Sequence, residues 1–162
     1  MVITFILFQN FEQELMNYKI FLIGIFLILA CISNGFSQVN QLEKAAQIAK
    51  EENKLIFMNF SGSDWCRSCM VLKQSILNTA EFKSFANDKL VLLDVDFPRK
   101  KKNRLSKDQT RYNEDLAEKY NKEGQFPNII ILDPDLNIVA KTGYKRLSPT
   151  QYIAHIKTLI KK

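Results

Sequence analysis

The chain has 162 residues, enough for one ordinary domain and not comfortably for two. Its 46% hydrophobic and 11% aromatic content excludes wholesale disorder, and three cysteines are too few for a disulfide scaffold. The net charge of +6 is partly local, because RKKKNR at 99–104 holds five of the positive charges; with no nucleic-acid motif or aromatic platform beside it, the basic stretch from Arg99 to Lys107 reads as a solvated loop.

Residues 16–38 carry a basic start at Lys19, an apolar stretch from Ile20 to Ala30 and a polar exit of small residues. That is the anatomy of a secretory signal peptide, and the apolar stretch is short for a membrane span. Gly35 and Ser37 predict cleavage before Gln38. Residues 1–15 precede this pattern awkwardly, which makes Met16 a candidate start. A second reading takes LILAC (Leu27 to Cys31) as a bacterial lipobox with Cys31 lipidated, and a third leaves the segment as an uncleaved anchor. All three place the remaining chain outside the cytoplasm, in the periplasm or beyond, where thiol chemistry has the most to act upon. The domain plan is therefore 1–37 for targeting and 38–162 for one folded domain.

From Gln41 to Asn53, Leu42, Ala45, Ala46 and Ala49 recur at helical spacing. KLIFMNF (Lys54 to Phe60) is a short apolar run, as expected for a strand covered on both faces. After FSGSDW, CRSCMVLKQSIL continues as a helix, and Asn78 with Glu81 has capping-box spacing for another. LVLLDVDF (Leu90 to Phe97) predicts the next strand. Beyond the basic loop, Tyr112, Leu116 and Tyr120 form one helical stripe that Asp108 could cap. FPNIIILD (Phe126 to Asp133) and IVAKT (Ile138 to Thr142) predict two strands joined by a turn at DPDLN. Ser148, Pro149 and Gln151 then mark the start of a last helix. The order is helix, strand, helix, strand, helix, strand, strand, helix. It predicts a three-layer α/β/α domain with a mixed central sheet, a parallel crossover through the cysteine helix and a final antiparallel pair.

The chemistry rests on Cys66 and Cys69, two residues apart after Trp65. Such a pair can bind a metal, staple a loop or exchange electrons with other thiols. Zinc fits poorly, because four ligands are the rule and His155 is the single histidine. No Gly-rich phosphate loop points to a nucleotide cofactor.

The strand before WCxxC, the helix after it and Phe126-Pro127 downstream resemble thioredoxin. More narrowly, FSGSDWCRSC, YNKEGQFPNIIILDPD and the leader are similar to secreted bacterial thioredoxin-like proteins, over roughly residues 40–160. The resemblance implies a thioredoxin fold and a thiol–disulfide oxidoreductase, with a lean toward reduction of disulfides in exported proteins. It implies Cys66 as the exposed nucleophile, favoured as thiolate at a helix start, and Cys69 as the buried resolving thiol one turn on. Trp65 would shape the substrate groove. Pro127 would be a cis proline, with the Phe126 backbone open to an extended peptide. Arg67 could lower the pKa of Cys66 or simply face solvent.

The chain departs from the family at Asn59, which stands where many members hold a buried aspartate. An amide cannot take the resolving thiol's proton, which leaves water, Asp64 from the loop, or slow resolution, with Asp64 read as a surface or loop-capping residue. Gly143 matches a structural glycine, and His155 is read as a surface residue. The resemblance implies no metal and no cofactor beyond the Cys66–Cys69 disulfide. Its partners would be cysteine-containing exported proteins and a membrane electron donor or acceptor, not nucleic acid, with the chain a monomer. The alternative is a binding module of the same fold, in which the two cysteines form an inert staple.

Overall fold

The computed structural model describes residues 40–161. The expectations of a leader, a lipidated Cys31 and a start at Met16 lie outside the described residues. Among the described residues, no helix is long and apolar enough to cross a membrane.

Helix α1 (Gln41–Glu51) buries Leu42, Ala45 and Ala49, the predicted stripe. Strand β1 (Leu55–Ser61) follows, with five consecutive residues from Ile56 to Phe60 buried. A strand enclosed on both faces buries successive side chains, which is why this run does not alternate and is apolar at every position but Asn59. Helix α2 (Arg67–Leu72) starts at the cysteines and continues as a π-helical turn, Lys73–Leu77. Helix α3 (Ala80–Lys89), strand β2 (Leu90–Asp96) and a single 3-10 turn (Lys101–Asn103) come next. Helix α4 (Lys107–Tyr120), strands β3 (Asn128–Leu132) and β4 (Ile138–Gly143), and helix α5 (Pro149–Ile160) complete the domain.

The sheet order is β2-β1-β3-β4. β1 pairs in parallel with β2 and antiparallel with β3, and β3 pairs antiparallel with β4, so the sheet is mixed as predicted. Alternate residues of β1 point to opposite faces. Ile56, Met58 and Phe60 join α1 and α4, while Phe57 joins α2, the π turn, α3 and α5. Helices therefore cover both faces, giving three layers.

Two caps differ from the sequence reading. Asn78 has helical angles and ends the π turn, whereas Thr79 is extended and its Oγ1 accepts the Phe82 N–H at 3.3 Å, making Thr79 the cap of α3. Helix α4 begins before Asp108, at Lys107, and Ser106 caps it by accepting the Gln109 N–H at 3.1 Å. Asp108 instead puts its charge in the first turn, where the helix dipole favours it. The capping box of Ser148 and Gln151, with Pro149 as first helical residue, forms as predicted.

The topology decides where a site can form. Two parallel strands end at Ser61 and Asp96, which are paired in register, and antiparallel β3 begins at Asn128 opposite Phe60. The loops after β1, after β2 and before β3 therefore meet at one end of the sheet.

Candidate functional site

The chain leaves β1 through Gly62, whose carbonyl accepts the Cys66 N–H at 2.9 Å and the Trp65 N–H at 3.3 Å. This turn delivers Cys66 to the N-cap of α2, where its Sγ accepts the Cys69 N–H at 3.2 Å. Cys66 and Cys69 are joined as a disulfide, with Cα atoms 5.2 Å apart. The Ser68 hydroxyl lies 3.6 Å from the Cys66 sulfur. The expected contrast between an exposed Cys66 and a buried Cys69 is absent in this oxidised form: they are 6% and 5% exposed. The reason is local. An N-cap side chain that accepts from the first turn must fold back over that turn, and here it also bonds its sulfur to Cys69.

Trp65 lies flat against the turn. A Cβ on Gly62 would stand 2.3 Å from the indole, so only glycine leaves room for the ring. The indole N–H donates to the Phe97 carbonyl at 2.7 Å, and the ring meets Phe126 edge-on at 5.4 Å between centroids. The Arg99 guanidinium stacks over the indole, 3.8 Å from the ring centroid. The basic loop thus has aromatic company in space, contrary to the reading of its immediate sequence, because Trp65 and Phe126 arrive from other segments.

Asp64 organises that loop. Its carboxylate accepts the backbone N–H groups of Arg99 and Lys100 and the Asn103 side-chain amide, each at 2.9 Å. The Arg99 N–H above all, with help from Asn103 and Lys100, holds this carboxyl below its ordinary 3.8. Asp64 thus caps the loop after β2. Asn59 is 5% exposed and donates to Asp94 Oδ1 at 2.9 Å, while its own Oδ1 has no partner among the described residues. Arg67 is exposed on α2 and has no ion pair or hydrogen bond among the described residues.

The Phe126-Pro127 peptide bond is cis, as the resemblance implied. Neither the N–H nor the C=O of Phe126 is taken up by another described backbone group. Sequence reasoning missed what holds this loop. Asn121, buried at the end of α4, donates to the Gln125 carbonyl at 2.9 Å and accepts from the Gln125 N–H and the Asn128 side chain at 3.1 and 2.7 Å. One amide side chain thus spans the turn before Pro127, and the signal was an Asn directly after a helical stripe. Asp96 does the same on the other side, accepting from Ser63 N–H and Oγ at 2.8 and 2.6 Å and from Ser61 Oγ at 3.2 Å. Gly143 pairs with Asn128, and a Cβ added there would stand 3.0 Å from the Pro127 carbonyl. His155 is half-buried rather than on the surface, with Nε2 2.9 Å from the Thr142 hydroxyl.

The arrangement is a disulfide at a helix start, with an aromatic wall on one side and an open backbone segment before a cis proline. Among proteins of known sequence, the chain is 32% identical over 118 residues to the disulfide bond reductase DsbH of Chlamydia pneumoniae, covering 73% of this chain and 69% of the relative. A solved DsbH oxidoreductase superposes with a TM-score of 0.67 at 32% identity, over 72% of this chain and 79% of that one. The disulphide isomerase of Xylella fastidiosa Temecula1 shares the fold, with a TM-score of 0.55 at 16% identity, over 76% and 93% of the two chains. The family profile described as Thioredoxin-like matches residues 37–134, from before α1 to the turn after β3. On fold, dithiol and sequence together, the chain belongs to the thioredoxin-like family.

Proposed function

We propose that this thiol–disulfide oxidoreductase works as a reductase, passing two electrons from the Cys66–Cys69 dithiol to disulfides of exported proteins. The observation that carries the direction is the 32% identity to a protein named disulfide bond reductase, over most of both chains. In the reduced protein, Cys66 attacks one sulfur of the substrate disulfide as a thiolate. The Cys69 N–H, already aimed at Cys66 Sγ at 3.2 Å, favours negative charge there. The second substrate sulfur leaves as a thiolate and takes a proton from water. Cys69 then gives up its proton and displaces the first substrate sulfur from Cys66. The substrate ends as two thiols and the protein as the Cys66–Cys69 disulfide. A dithiol donor at the membrane returns the pair to the reduced state by the same exchange in reverse.

Water is the proton acceptor that best fits this scheme. Asn59 is an amide, and Asp64 is engaged by three donors of the basic loop. The free N–H and C=O of Phe126 suit an extended substrate segment, paired as an added strand. The reaction needs no metal or organic cofactor, and the chain is read as a monomer acting outside the cytoplasm after its leader is removed.

Equilibration of the domain from Gln38 with glutathione or dithiothreitol buffers tests the direction. A potential near roughly −270 mV is expected of a reductase, and one near roughly −120 mV would make the protein a donor of disulfides instead. Cys66→Ser is expected to abolish exchange, and Cys69→Ser to accumulate mixed disulfides with substrate. A Cys66–Cys69 bond untouched by mild reductant would overturn the scheme in favour of an inert staple.

A further inference from the structure

A groove of about 670 Å³ lies between the loop after β2 and helix α4, and Trp65, the residue before Cys66, lines it. Its floor is apolar, with Trp65, Phe97 and Phe126 packed edge to face at 5.4 and 5.5 Å. Its rim is cationic, carrying Arg99, Arg104, Lys107 and Arg111, all exposed. Among the described residues none of these four is in an ion pair. Two carboxylates also line the groove. Asp96 is occupied by Ser61 and Ser63, which leaves Glu114 as the single acid facing four cations. The rim is not a floppy tail either, because Asp64 fixes the backbone of Arg99 and Lys100.

We propose that this groove selects substrates, by taking a segment that flanks the target cysteine and carries carboxylates beside an apolar or aromatic side chain. The inference rests on the reductase reading and adds a substrate class to it. Charge complementarity identifies the occupant: unpaired cations around an apolar floor match an acidic, amphipathic peptide. Location ties the groove to the chemistry. Trp65 immediately precedes Cys66 and Phe126 immediately precedes Pro127, so the floor is built from the two residues that border the reacting pair and the peptide-binding backbone. A substrate strand laid along Phe126 would carry its neighbouring side chains onto that floor and its carboxylates to the rim.

The test uses the reduced protein and three disulfides: a cystine peptide flanked by Asp, Glu and Phe, the same peptide with Lys in place of the acids, and uncharged 2-hydroxyethyl disulfide. At low salt the acidic peptide is expected to be reduced about tenfold faster in kcat/KM than the basic one, through KM, as a few partly screened ion pairs would give. The advantage should collapse near about 0.5 M salt, where the Debye length is only a few ångströms. In the double variant Arg104→Glu, Arg111→Glu, the preference should vanish or invert when each rate is taken relative to that on 2-hydroxyethyl disulfide. Equal rates on the two peptides, with 2-hydroxyethyl disulfide reduced normally, would overturn the proposal and leave the reductase reading standing. So would a preference that the double variant retains. Equal peptide rates together with binding to phosphatidylglycerol vesicles that the double variant loses would assign the groove to a lipid surface instead. Failure on all three disulfides would overturn the reductase reading and this inference with it.

Discussion

Gly62 sets the position of the indole on which both the redox turn and the groove depend. A methyl group there would stand 2.3 Å from Trp65 Cε2, well inside contact distance, so Gly62→Ala must push the ring away. The indole would lose its hydrogen bond to the Phe97 carbonyl and its edge contact with Phe126. The expected cost is about 1–3 kcal/mol, as for other overpacked sites, read as a lower urea midpoint with an unchanged slope. Turnover of protein disulfides should fall further than turnover of 2-hydroxyethyl disulfide, because the wall is displaced while the cysteines remain. Gly143 has a similar role with less crowding, leaving the Pro127 carbonyl room against β4.

At the scale of the elements, the loop after β2 is held as a unit by one carboxylate. Asp64→Ala removes three acceptor contacts at once and should raise hydrogen exchange of the Arg99 and Lys100 amides by roughly tenfold, the equivalent of about one net hydrogen bond. Acid should do the same. The Asp64 pKa is depressed in the folded protein, so its contribution is present above the ordinary 3.8 and is lost as pH falls through the lower folded value. The elements themselves were legible in the sequence: the stripes of α1 and α4 formed where periodicity put them, β1 where the apolar run was continuous, and α5 where the capping box marked its start. The caps at Thr79 and Ser106 were less so, because several Ser, Thr, Asn and Asp residues lie near each helix start and only backbone angles choose among them. Within the site, Cys66, Cys69 and Pro127 were legible as a motif. The groove was not, since Asp64 meets its partners across 35 to 39 positions and Arg99 finds its aromatic ring in another loop.

Taken whole, the described domain is a sheet with an apolar cluster on each face and its chemistry at one end. The last helix is tied to the edge strand β4 by His155 and Thr142 and by the Tyr152 hydroxyl on the Gly143 carbonyl. Burial, reinforced by the charge of Lys145, holds the His155 imidazole below its ordinary 6.5. The unfolded chain therefore takes up this proton first. The stability difference is absent while both forms are neutral, and folded protein loses ground as pH falls below about 6.5 and through the folded value. The urea midpoint should thus drop between pH 7.5 and 5, and His155→Gln should remove that part of the drop. Trp65 has one more consequence, since it is the single tryptophan of the chain. All indole emission comes from the joint between the disulfide and the groove, with no background from elsewhere. Closing the Cys66–Cys69 bond beside it should dim that light, whereas a segment settling over Arg99 and Phe126 should shift its colour, so one optical signal would separate the redox state of the pair from the occupancy of the groove.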